Sequence, residues 1–120
     1  MTDVIVVGGG PAGLSAALFT AKNGLDTTVF DTDSTWMHKA HLFNYLGIES
    51  VDGSEFMEQS RAQVDEFGVE RYQDEEVTEV ETDGDGFTVT TEERTYESDY
   101  LILATGADRG LAKDIDCEFT

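Results

Sequence analysis

The first thirty-one residues limit the fold most strongly, because they place a β-strand, a glycine loop, a helix, a second strand and an acid in that order. Residues 3–7 (DVIVV) are a short β-branched run, typical of a strand buried on both faces of a parallel sheet. Residues 8–13 (GGGPAG) follow at once with the spacing G-x-G-x-x-G, and a second strand over residues 27–30 leads to Asp31. This order predicts a βαβ unit that binds the pyrophosphate and ribose of a dinucleotide.

Each residue type in the glycine loop suits a phosphate site. Gly8 permits the sharp turn off the strand, and Gly10 lets the backbone approach the pyrophosphate. Gly13 permits close packing of the helix on the sheet, and Pro11 suits the first helical turn because its missing N–H is not needed there. Together with Ala12, these residues turn the free amides of the helix N-terminus toward the phosphates.

Asp31 is the predicted ribose acid. It lies 18 residues after Gly13, where a carboxylate can accept hydrogen bonds from the adenosine ribose hydroxyls. A carboxylate there also repels a 2′-phosphate, so NADP is disfavoured at this first site. Asp33 is the alternative acid, although the strand is expected to end nearer Asp31.

Two helices are predicted from apolar side chains that recur at helical spacing. The stripes are Leu14, Ala17, Leu18 and Ala21 in the first helix, and Phe56, Val64 and Phe67 in the second. Gly24 suits the end of the first helix, and the second is predicted to start at Asp52 and to end at Gly68.

The remaining strands define the fold class. Residues 69–72 are a third strand, and strict alternation with Asp-Gly turns predicts an antiparallel meander over about residues 76–98. Its strands are expected at residues 77–81, 87–90 and 95–96, and the apolar run 100–104 is expected to be a buried central strand. The pattern therefore predicts an α/β fold: a Rossmann-like parallel sheet with flanking helices and an antiparallel β-meander as crossover.

Composition limits the chain to one domain, since its 120 residues are 39% hydrophobic. No apolar run is long enough to span a membrane, and the first residues lack the basic start and leader of a secretory signal, which predicts a cytoplasmic protein. Cys117 is the only cysteine, so no internal disulfide, C-x-x-C redox pair or cysteine-rich metal site can form.

Acidic side chains dominate the surface chemistry. There are 26 acids against 7 bases, a formal net charge of −19 that repels nucleic acid and anionic membranes, so neither is an expected partner. Docking to a basic protein is one interpretation. The other, which the scarcity of lysine and the even spread of acids favour, is the acidic coat of a halophilic protein.

We expect the free energy of unfolding to fall when salt is removed. Repulsion among the acids acts over a Debye length of about 30 Å at 0.01 M salt and about 3 Å at 1 M. Thermal unfolding followed by circular dichroism should give a midpoint at least ~10 °C lower in 0.01 M KCl than in 1 M KCl. Sorbitol at the osmolality of the 1 M solution is the uncharged control and should not restore the midpoint, and equal midpoints at both salt concentrations would contradict the coat.

Four blocks of the sequence resemble the N-terminal FAD-binding part of the thioredoxin reductase-like flavoproteins, within the two-dinucleotide-binding-domain superfamily. The blocks are residues 3–13 (DVIVVGGGPAG), 43–47 (FNYLG), 56–68 and 101–107 (LILATGA). They occur in the family's order between residue 3 and about residue 107, with a meander in the expected place.

The resemblance implies FAD rather than NAD at this site. It implies that the loop of residues 8–13 holds the pyrophosphate and that Asp31 holds the adenosine ribose. It further implies that Asn44 lies beside the flavin, that the backbone of Val77 meets the adenine, and that a turn closes over the cofactor. That turn consists of Ala104, Thr105 and Gly106.

The sequence also departs from the family. Its disulfide reductases carry a C-x-x-C pair in a separate NADPH domain, and this chain has neither, so we do not expect a disulfide reductase on its own. Residues 36–41 (WMHKAH) stand where a Gly-Gly-Gln loop is expected, and Leu46 stands in place of a proline. Residues 111–120 resemble the start of the family's returning FAD segment. We therefore expect one domain over residues 1–120, incomplete at its C-terminus, whose flavin site a homodimer or a partner protein completes.

Four residues could carry other chemistry. His38 and His41 have metal-ligand spacing, but a third ligand would have to be a carboxylate, so no metal is predicted. His38 or Lys39 could instead lie near the flavin in place of the missing loop. Cys117 has no resolving partner and is interpreted as an inert thiol.

The sequence supports three functional hypotheses. The first is the FAD-binding domain of a flavin oxidoreductase, with NAD(P)H as a transient electron donor and no identifiable acid–base catalyst. The second is a non-catalytic nucleotide-binding or regulatory module. The third is an NAD-binding dehydrogenase domain, which the Pro-Ala of the loop and the terminal Ala-Thr-Gly disfavour. A bound flavin spectrum, stabilisation by ADP alone, or a change in NADH fluorescence would distinguish them.

Overall fold

A mixed sheet carries the candidate site in the computed structural model, which describes residues 2–31, 41–42, 46, 51–73 and 75–105. The helices among these residues are α1 (Pro11–Lys22) and α2 (Gly53–Glu66). The strands are β1 (Thr2–Val7), β2 (Thr27–Asp31), β3 (His41–Leu42), β4 (Val51–Asp52), β5 (Glu70–Gln73), β6 (Val77–Asp83), β7 (Gly86–Thr91) and β8 (Thr95–Leu103).

The main sheet has the order β5-β2-β1-β8-β7-β6. Strand β1 pairs in parallel with β2 and β8, and β2 pairs in parallel with β5, whereas β7 runs antiparallel to both β8 and β6. Strands β3 and β4 form a separate antiparallel pair. The α/β prediction, with a parallel sheet and an antiparallel meander, is confirmed.

Strand β1 is apolar along its length because both faces of the sheet are covered. Val4 and Val6 pack with residues of both helices, among them Leu14, Ala17 and Met57. Ile5 and Val7 point the other way and pack with Phe30 and with the valines of the meander. The ends of β1 and β2 are therefore fixed from two sides, and the loop that follows β1 starts from a rigid base.

Strand β8 differs from the prediction of two separate strands. Residues 95–98 pair antiparallel with β7, and residues 98–103 of the same nine-residue strand pair in parallel with β1. The polar residues Glu97 and Asp99 interrupted the apolar pattern, but they are exposed while Ser98 between them is fully buried. The alternation of buried and exposed side chains that is typical of a strand thus continues through this polar stretch. Residues 100–104 were predicted to be buried, but Tyr100 is 64% exposed.

The helix stripes were predicted with one error. In α1, Leu14 and Ala17 are buried and Leu18 and Ala21 pack against them. In α2, Val64 is buried and Phe56 is partly buried, but Phe67 is 45% exposed and the fully buried Met57 fills the core instead. Phe67 follows the last helical residue, Glu66, so helical spacing no longer sets the direction of its side chain.

An aromatic cluster packs the meander onto β2. Phe30 contacts Tyr72 and Tyr96, with ring centroids 5.4 and 4.9 Å apart. The Tyr96 hydroxyl donates to a Glu75 carboxylate oxygen at 2.7 Å, and the Thr91 hydroxyl donates to the same oxygen at 2.8 Å. Burial, followed by this hydrogen bond, raises the pKa of Tyr96 to about 12. These two hydrogen bonds hold Glu75, which lies two residues before β6 begins.

Candidate functional site

The candidate site lies where β1, β2 and β8 end together. Gly8 N–H donates to the Phe30 carbonyl at 3.0 Å, and Ala104 N–H donates to the Val7 carbonyl at 2.8 Å. Gly8 has φ +117°, and a Cβ on it would overlap the Ala104 carbonyl. Only glycine fits this conformation and this contact. The first glycine of the motif therefore lets the ends of β1, β2 and β8 come together.

The start of α1 leaves amides available to a ligand. Gly10 is the N-cap residue with φ −77° and ψ −173°, Pro11 follows at the first helical position, and no side chain caps the helix. Helical hydrogen bonding begins with Leu14 N–H to the Gly10 carbonyl at 3.0 Å, so Ala12 and Gly13 N–H have no acceptor within the helix. Such a turn, with the positive end of the helix dipole, attracts an anion.

Gly13 holds α1 close to the loop. A Cβ at this position would overlap the Gly8 carbonyl oxygen and would come 3.4 Å from a Val6 methyl group. The third glycine of the motif is therefore a packing requirement, as the sequence predicted.

Asp31 lies beside the loop and is only 2% exposed. A Cβ on Gly9 would overlap the Asp31 carboxyl group, so the middle glycine makes room for that side chain. Arg61 on α2 places its Nε 3.3 Å from Asp31 Oδ2. The spacing of the motif did not assign a role to Gly9, although the unbroken glycine triplet was a visible signal.

Sequence reasoning missed Arg61. A signal was present, because Arg61 follows the buried Met57 by four residues and so shares its side of α2. A shallow cleft of about 450 Å³ opens beside Arg61 and is lined by Ser54, Glu58, Arg61, Ala62, Asp65 and Arg71. In that cleft Arg71 binds the Asp65 carboxylate with two hydrogen bonds of 3.0 Å.

The amino-acid sequence of residues 2–117 matches the model of the pyridine nucleotide-disulphide oxidoreductase family. The chain belongs to that family. A thioredoxin reductase of Listeria monocytogenes is 36% identical over 110 residues, which are 88% of this chain and 34% of the relative. An alkyl hydroperoxide reductase component of Staphylococcus aureus is 35% identical over 88% of this chain and 21% of its own length. The chain thus spans about a third or less of these relatives.

Solved structures give the same result for this member of the family. The thioredoxin reductase of Lactococcus lactis matches with a TM-score of 0.84 and 32% identity, over 90% of this chain and 36% of its own. The atypical thioredoxin reductase TRi of Desulfovibrio vulgaris Hildenborough matches with a TM-score of 0.82 and 35% identity, over 91% and 37%. The resemblance to thioredoxin reductase-like proteins is confirmed, and the chain carries an oxidoreductase-type, nucleotide-binding fold.

The structure brings most of the predicted site residues of this family member together. Ala104 and Thr105 lie at the end of β8 beside Gly8, and Val77, which is 7% exposed, packs in the same core cluster as Phe30 and Leu103. Asn44 and Gly106 lie outside the described residues, as do Asp33, His38, Lys39 and Cys117.

The described part of the chain contains no group of three His, Cys, Asp or Glu side chains that could hold a metal ion. Neither of the two helices given above, of 12 and 14 residues, is long and apolar enough to cross a bilayer.

Proposed function

We propose that this domain binds FAD through the ADP half of the cofactor, as the flavin-binding part of a thioredoxin reductase-like oxidoreductase. The observation that carries the proposal is the junction at Gly8, where an uncapped helix N-terminus and the Asp31 carboxylate meet beside the end of β8. The free amides at the start of α1 suit a diphosphate, and the carboxylate beside them suits the hydroxyls of the ribose that follows it. Family membership supports the same assignment.

Each part of the ADP group has a proposed contact. The amides of Ala12 and Gly13 bind the pyrophosphate, and Gly10 permits its approach because it has no side chain. Asp31 accepts hydrogen bonds from the ribose hydroxyls. The Val77 backbone meets the adenine, and the turn of Ala104, Thr105 and Gly106 closes over the cofactor, with Asn44 on the flavin side.

FAD, when bound, supplies the redox chemistry at its isoalloxazine ring. The residues of this chain bind and orient the cofactor, and the described ones hold its adenosine end. NAD(P)H is the proposed electron donor, either directly or through a partner protein. A second copy of the chain or another protein covers the flavin end.

The test is an absorbance spectrum of the protein in high salt, recorded before and after incubation with excess FAD and desalting. Retained bands near about 375 and about 450 nm, typical of a bound oxidised flavin, are the expected result. Protein that retains no flavin yet gains thermal stability with ADP would instead be a nucleotide-binding module. Protein that responds to NADH, with no competition from FAD, would point to the dehydrogenase hypothesis.

Replacement of Asp31 by alanine should weaken ADP and FAD binding by roughly 1–3 kcal/mol, because two hydrogen bonds to a charged acceptor are lost. Isothermal titration calorimetry measures both affinities. Asp26→Ala is the matched control, since it removes the same charge from an exposed position just before β2 and should change neither affinity. Parental affinity in the Asp31→Ala protein would transfer the ribose contact to another acid, such as Asp33.

A further inference from the structure

The Asp31 carboxylate is covered in a way that the proposed function does not explain. With 2% of its surface exposed, it cannot present an oxygen to a ribose unless a neighbouring group moves. Gly9 covers it from the loop, and Arg61 covers it from α2, with 3.3 Å between Nε and Oδ2. Among the described residues these two neighbours border the carboxylate, and movement of either one would expose an oxygen to a nucleotide.

Gly9 is unsuited to that movement. It is buried, and it follows Gly8, whose N–H is bonded to the Phe30 carbonyl and at which an added Cβ would overlap the Ala104 carbonyl. A shift of Gly9 would therefore disturb the ends of three strands. It would also move the helix N-terminus that is proposed to hold the pyrophosphate.

The Arg61 side chain has room to move. It is long and 15% exposed, and it borders the cleft on α2, where the carboxylate of Glu58 provides another acceptor. Its Nε–Oδ2 distance of 3.3 Å exceeds the 2.7–2.9 Å that is usual for a charge-assisted hydrogen bond. In the same cleft, the contact of Arg71 with Asp65 consists of two shorter bonds of 3.0 Å.

We propose that Arg61 is a specificity-determining residue of the ribose site: it covers and neutralises Asp31 before binding and is displaced into the cleft by the ribose hydroxyls. The ligands concerned are adenosine nucleotides with free 2′ and 3′ hydroxyls. Displacement of Arg61 consumes part of the binding free energy that these hydroxyls provide. The inference rests on the proposed function, since it requires that Asp31 bind the ribose.

The quantity that tests it is the ratio of two dissociation constants, that of 2′,3′-dideoxy-ADP divided by that of ADP. Both ligands carry the same diphosphate, so the ratio cancels the loss of attraction that any Arg substitution causes. Calorimetry on the full chain in 2 M KCl gives both constants. The ratio therefore reports the ribose hydroxyls alone.

Arg61→Met should raise the ratio by roughly fivefold, because the hydroxyls no longer compete with the guanidinium for Asp31. Arg71→Met is the matched control, with the same change in the same cleft, and should leave the ratio at the parental value. In an Asp31→Asn background, Arg61→Met should have no effect. If Arg61→Met does not fold, Arg61→Gln serves in its place, with circular dichroism as the check.

The other possible results would each contradict the proposed role of Arg61. A lower ratio in Arg61→Met would mean that Arg61 holds the carboxylate in place for the ribose. An unchanged ratio with a lower thermal midpoint would reduce Arg61 to a structural link between α2 and β2. If the parental protein does not bind ADP at all, the proposed function itself fails, a result distinct from binding with an unchanged ratio.

Discussion

Gly13→Ala should destabilise the domain by at least about 3 kcal/mol, or prevent it from folding. The added methyl group would overlap the Gly8 carbonyl oxygen, which is a backbone atom at the junction of three strands. Relief requires α1 to move away from the sheet, and this would open the core around Leu14 and Ala17. Urea unfolding followed by circular dichroism, in 2 M KCl, measures the loss.

Gly84→Ala is the control for Gly13→Ala. Gly84 has φ +61°, and no atom lies within 4 Å of the position that a Cβ would take. The free energy of unfolding should fall by only about 1 kcal/mol there, because alanine is unfavourable at a positive φ. If Gly13→Ala lowers the free energy of unfolding no more than Gly84→Ala does, α1 does not lie as close to the glycine loop as described here.

Gly10→Val should abolish nucleotide binding while the fold is retained. The φ of −77° and ψ of −173° at Gly10 are open to any residue and suit a β-branched one, so the backbone imposes no penalty. The valine side chain would instead occupy the space through which the pyrophosphate reaches the amides of α1. We expect the affinity for ADP and FAD to fall by more than about 100-fold, the effect of losing several hydrogen bonds to charged groups.

Calorimetry with ADP, the flavin absorbance retained after desalting, and the thermal midpoint together test Gly10→Val. Gly10→Ala provides a graded control, because its single methyl group should cause a smaller loss of affinity. A Gly10→Val protein that keeps its flavin would refute the assignment of this loop to the pyrophosphate. A protein that loses both flavin and fold would show that Gly10 has a packing role.

The parts of the fold that could be predicted are those fixed by local spacing. The order of β1, α1 and β2 follows from residues that are close in sequence, and the roles of Gly8 and Gly13 in turn and packing follow from the motif. The start and end of α2 were predicted nearly as well, although Asp52 makes no side-chain cap.

The parts that could not be predicted depend on contacts between distant segments. Ser98 is fully buried inside a polar stretch because β8 changes its partner there from β7 to β1, and no local pattern reports that change. The contact of Arg61 with Asp31 spans 30 positions of sequence. Its existence depends on how α2 lies on the sheet, which periodicity alone does not define.

The hydrogen bond from Ala104 to Val7 and the contact of Ala104 with Gly8 have a consequence for the order of folding. During synthesis the βαβ segment leaves the ribosome before β8, yet one wall of its cradle is about 96 residues away in sequence. The proposed nucleotide cradle can therefore close only after β8 has inserted beside β1, the slow, long-range step expected of a parallel sheet. Cofactor capture would then report the completion of the whole sheet, and a nascent chain released before residue 104 would carry the full glycine motif without a site.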